Sequence, residues 1–172
     1  MNETPGEAAA ILAQGSAALE SLFGRLTPEM AEARGTIGGG AWSARDLAGH
    51  IETWEQVALR TIEELRAGRR PSIRETVTDA ASMDRFNAAE VERKAGRGWE
   101  DTLAGFREVN ATLVGTVRAV TDGEWAAVPA GQQDDARTLG EHVGSATGMP
   151  KGPFRHAWAH LGDLEAFVHR NP

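Results

Sequence analysis

The chain has 172 residues, of which 41% are hydrophobic and 25% charged, with no cysteine and a formal net charge of −7. That balance fits one soluble globular domain with a sizeable core, and the missing thiol excludes disulfides, thiolate metal sites and cysteine nucleophiles. The acidic balance argues against a nucleic-acid partner, and no apolar run reaches the length of a bilayer span, so no membrane partner is expected.

The N-terminus, MNETPGEAAA, has no basic cluster ahead of an apolar core, so it does not read as a signal peptide and the expected location is cytoplasmic. A first helix is predicted from Pro5 to Leu26. Ile11, Leu12, Leu19, Leu22, Phe23 and Leu26 recur at helical steps, and Thr4, Pro5 and Glu7 form its start signal. GTIGGG, residues 35–40, is a flexible loop; with no preceding strand it is not a nucleotide site.

The second helix begins after Ser43 as N-cap, with Asp46 at its third position. Leu47, Ile51, Trp54, Ala58, Ile62 and Leu65 continue the stripe until Gly68 and Pro71 close it. The basic stretch from Arg66 to Arg74 reads as a solvated turn. The connection from Arg69 to Gly98 carries its own helical piece, Asp79 to Lys94. It is long enough to cross back along a bundle. A third main helix is predicted from Trp99 to Val120. Asn110 falls on its inward face and needs either a core partner or a place at a site. A turn follows at Asp122 to Ala126, then a short helix at Thr138 to Ala146. Gly148 to Pro153 breaks the chain before a last main helix from Pro153 to Val168. The expected fold is all-α, a four-helix bundle with a long crossover.

Five histidines are present: His50, His142, His156, His160 and His169. HAWAH places His156 and His160 one helical turn apart, where both imidazoles project to one side. His50 lies on the apolar face of the second helix, where an imidazole needs a hydrogen bond or a metal. Together these three make a candidate His₃ site with open positions for water or substrate. With nitrogen and oxygen donors only, zinc, nickel or iron would suit it. His142 is the reserve ligand, and His169 reads as exposed. Asp46 either caps its helix or orients His50 as a supporting acceptor. Trp54 and Trp158 either pack in the core or line a pocket.

WSARDLAGHIETWEQ, residues 42–56, and HAWAHLGDLEAF, residues 156–167, resemble the two signature segments of the DinB-like/YfiT-like metalloenzyme superfamily. MDRFNAAEVERKAGRGWEDTLAGFREVNATLVGTV is similar to the crossover and third helix of members near the ClbS/DfsB and mycothiol-dependent maleylpyruvate isomerase branches. The resemblance implies an up-down-down-up bundle and a divalent metal, zinc or nickel, on His50, His156 and His160. It further implies hydrolysis of a small molecule, or transfer or isomerisation with a low-molecular-weight thiol as cofactor. Two rival readings stand beside the enzyme: a protein that binds or sequesters a small molecule in self-protection, and a structural bundle that pairs into a homodimer. GMPKGP, residues 148–153, departs from the family's unbroken approach to HxxxH and is expected to reshape the pocket mouth.

Overall fold

A computed structural model describes residues 3–132 and 135–171. Four long helices carry the architecture: α1 (Pro5–Phe23), α3 (Ala44–Arg66), α6 (Trp99–Arg118) and α9 (His156–Arg170). Shorter helices link them: α2 (Pro28–Glu32), α4 (Ile73–Thr76), α5 (Ala80–Lys94), α7 (Asp122–Ala126) and α8 (Leu139–Ala146). Among the described residues there is no strand, only an isolated bridge between Ile37 and Trp42.

Helix starts follow the local chemistry. Thr4 and Glu7 close a capping box on α1, and Ser43 and Asp46 close one on α3. Asp79 and Ser82 do the same for α5, and Thr138 and Glu141 for α8. Each box satisfies two backbone donors that the first helical turn leaves orphaned. The ends differ more. α1 stops at Phe23, three residues before the expected Leu26, because Gly24 already serves as its C-cap. α9 begins at His156 rather than Pro153. Phe154 takes a left-handed φ of 62° and buries its ring against Trp125, so the chain cannot be helical there.

The core falls into two apolar clusters. One joins the end of α1 (Leu19, Phe23), the starts of α3 (Leu47, Ile51) and α6 (Trp99, Phe106), and the end of α9 (Leu164, Phe167). The other joins the start of α1 with the ends of α3 and α6. α1 and α9 therefore run one way and α3 and α6 the other, which is the up-down-down-up order. Phe23 meets Trp99 and Phe106 edge to face, with centroids 5.5 and 5.7 Å apart. Each contact is worth about 0.5–1.5 kcal/mol beyond its buried area.

Between the clusters lies a polar layer. Glu55 accepts hydrogen bonds from Ser16 Oγ (3.3 Å) and Asn110 Nδ2 (2.8 Å), so Asn110 has a core partner and not a place at the histidine site. Glu55 is almost fully buried, its Oε2 has no partner among the described residues, and burial raises its carboxyl to about 8.

Candidate metal centre

The three expected histidines meet. His50 comes from the second turn of α3, on the face turned toward α9. His156 and His160 come from the first turns of α9. His156 Nε2 lies 3.1 Å from His50 Nε2 and 3.2 Å from His160 Nε2, and the three donor atoms all lie within 4.8 Å of one another. Tetrahedral zinc–nitrogen bonds of about 2.0–2.1 Å would place ligand nitrogens about 3.3 Å apart.

Protonation favours ligation. Burial holds His50 well below the ordinary imidazole range, and the charges of His156, His160 and Lys94 push the same way. His156 falls to about 3, first through burial and then through His160. His160 is lowered as well by burial, against the opposing pull of Asp163. All three are therefore neutral near pH 7, with lone pairs available to an ion. One pair of these Nε2 atoms can share a hydrogen bond, but three neutral nitrogens facing one point leave one unsatisfied, whereas a divalent ion satisfies all three. The donor set thus fits a metal.

Packing, more than hydrogen bonding, holds these rings. Trp42 lies over His50 with centroids 4.7 Å apart, and Trp54 presents an edge to His156 at 6.4 Å. His156 Nδ1 is buried without a partner among the described residues. Asp46 is a helix cap: its Oδ2 accepts from Ser43 N at 3.0 Å, and it makes no hydrogen bond to His50. Trp54 is fixed by donating from Nε1 to Asn87 Oδ1 at 3.0 Å. Trp158 is packing: its indole sits against Gly15 and donates to Ile11 O at 3.4 Å.

The histidines stand in a cavity of about 510 Å³. Trp42, Trp54, Ile73, Val77 and Met83 supply apolar walls, and Met149 and Pro150 of the GMPKGP segment line it too. His142 also lines it, but its Nε2 sits 3.6 Å from Asp135 Oδ2 and it does not join the three-histidine group. His169 is exposed, with Nδ1 2.9 Å from Glu165 O. Sequence reasoning gave no role to Arg74 and Arg137, which line the cavity too. The Arg66–Arg74 stretch is accordingly more than a solvated turn: Arg66 bonds Glu124 at 2.7 Å, and Arg74 pairs with Asp135.

The sequence pattern of the DinB superfamily matches residues 11–148. The chain belongs to the DinB superfamily. No curated protein matches it by sequence. Among solved structures it is similar to an uncharacterised protein from Escherichia coli UTI89, at 17% identity and a TM-score of 0.81. That likeness covers 99% of this chain and 96% of the other. It is also similar to the colibactin self-resistance protein ClbS in complex with double-stranded DNA. There the identity is 14%, the TM-score 0.77, and the coverage 97% and 96%. These likenesses show the same all-helical fold.

The ClbS complex corrects one expectation. A net charge of −7 argued against any nucleic-acid partner, yet a protein of this fold is crystallised with DNA. Net charge sums the whole surface, while a backbone contact depends on a local patch. No helix among the described residues is long and apolar enough to cross a membrane.

Proposed function

We propose that this protein is a divalent-metal-dependent enzyme acting on a small molecule, with His50, His156 and His160 as the metal ligands. The observation that carries the reading is the meeting of three imidazole nitrogens within 4.8 Å of one another at the wall of a cavity of substrate size. A divalent ion bound there supplies Lewis acidity toward an oxygen or sulfur atom that reaches it. The histidines hold that position on two facing helices. Trp42 and Trp54 shield it and give an apolar substrate a surface to lie on. Three protein ligands leave room for substrate, which suits hydrolysis or the activation of a low-molecular-weight thiol. The chain has no thiol of its own to compete. Imidazole donors suit zinc and nickel, the two metals that the family resemblance implies.

A second reading is sequestration in self-protection. The likeness to a self-resistance protein and the apolar walls of the cavity favour it. In that case the ligand is held stoichiometrically and leaves unchanged.

The deciding experiment is elemental analysis of untagged protein before and after zinc reconstitution, repeated on His160→Ala. Close to one ion per wild-type chain, lost in the variant, is the expected result. Wild-type protein that takes up no divalent ion even on reconstitution refutes the metal reading.

A further inference from the structure

The cavity has a second polar end, built from residues far apart in the chain. Arg74 comes from α4 in the crossover, and Arg137 from the segment leading into α8. Asp135 holds both. It pairs with Arg74 Nη1, accepts from Arg137 Nη2 at 2.8 Å and Nε at 3.0 Å, and does not itself line the cavity. Its carboxyl is held far below the ordinary range, first by the Arg137 hydrogen bonds. Both guanidiniums are thus oriented before any ligand arrives. Arg137 Nη1 and Arg74 Nε and Nη2 keep donors that have no protein partner among the described residues.

His142 adds an independent observation. Its side chain is only 3% exposed and lines the cavity, and its Nε2 sits 3.6 Å from Asp135 Oδ2, so a third side chain converges on that carboxylate. Burial, followed by the Arg137 charge, lowers the His142 imidazole, which leaves it neutral near pH 7. Arg74, Arg137 and Asp135 then sum to one positive charge. A single negative charge balances that sum, and the flat guanidinium edge matches a carboxylate. Ile73, Val77 and Met83 line the same cavity and supply apolar surface.

We infer that this end of the cavity binds a carboxylate carried on an apolar body, with Arg74 and Arg137 as its donors. The inference names the substrate class for the proposed enzyme and rests on that reading only for where reaction occurs. The carboxylate site itself needs no ion.

The test uses the full chain, as purified and again after chelation. Trp42 and Trp54 line the cavity and report binding by fluorescence, with calorimetry alongside. The probes are 4-phenylbutyrate, its neutral amide 4-phenylbutanamide, and phenyl phosphate. The acid should bind at least tenfold more tightly than the amide, in both metal states. Arg74→Gln and Arg137→Gln should each weaken acid binding at least fivefold and leave the amide within twofold. Amide binding shows that each variant is folded, and Arg74→Gln keeps the Asp135–Arg137 pair in any case. Equal affinity for acid and amide, loss of both probes from wild type, or a preference that survives both substitutions overturns the inference. Tighter binding of phenyl phosphate than of phenylbutyrate overturns the assignment to a singly charged group. Acid preference in a chain that takes up no metal upholds this inference while refuting the enzyme reading. Zinc uptake without acid preference does the reverse.

Discussion

Replacing Glu55 by Gln should make stability less sensitive to alkaline pH. Glu55 is buried between the two apolar clusters and stays protonated up to about 8, against 4.5 for an ordinary glutamate. Between those values the folded state holds a proton that the unfolded chain has released. Stability therefore falls as pH rises through that window, and the loss is complete above about 8. Each tenfold in proton affinity is worth about 1.4 kcal/mol, so the full penalty approaches about 5 kcal/mol. About 3 kcal/mol of it accrues between pH 6 and pH 9. Glutamine keeps the oxygen that accepts from Asn110 and Ser16. Its amide N–H groups lack an acceptor there, a cost that does not change with pH and so drops out when the two pH values are compared. At about 2–4 °C per kcal/mol for a chain of this size, the variant's melting temperature should gain about 6–12 °C on wild type between pH 6 and pH 9. Thermal melts by circular dichroism at the two pH values measure this. A gap between the proteins that stays constant within a degree refutes the argument.

Zinc at 100 times its dissociation constant should stabilise the fold by about 2.7 kcal/mol, raising the melting temperature by about 5–10 °C. His160→Ala should show no such rise in a melt with and without zinc. Wild-type zinc uptake at pH 7.5 should release almost no protons from the three ligands, because burial keeps them neutral there. Calorimetry in buffers of different ionisation enthalpy checks that, and a release of two or more protons would contradict it. Gly15→Val should cost about 2–3 kcal/mol. A Cβ at Gly15 already comes within 2.9 Å of Trp158 Nε1 and 3.1 Å of Ala157 Cβ, and the added methyls would lever α9 away. Because α9 carries two of the three histidines, zinc affinity should fall with it; a variant that melts lower yet binds zinc as wild type does would break that link.

Helix periods and capping residues made most of the fold legible. Thr4 with Glu7 and Ser43 with Asp46 are local signals whose chemistry is complete within four residues. The histidine site was legible for a related reason: HAWAH and the inward face of α3 are also local patterns, and a bundle has few ways to arrange them. The start of α9 was not, because Phe154 leaves the helical region to reach Trp125, a partner nearly thirty residues earlier. The Arg74–Asp135–Arg137 cluster was hidden for the same reason. Nothing near Arg74 in sequence announces a carboxylate sixty-one residues on. Glu55 stands within an apolar stripe, but its burial depends on α1 and α6, and its own neighbours Glu52 and Gln56 give no sign of it.

His50 and His156 are 106 residues apart. A ribosome makes the first long before the second, so through most of its synthesis the growing chain offers a lone imidazole with negligible hold on an ion. A divalent ion held by all three histidines would be captured only once the last helix has emerged and docked beside α1 and α3. Ion capture and the finishing of the bundle would then be one event, and an ion acquired at that moment would bolt the newest helix to one made much earlier.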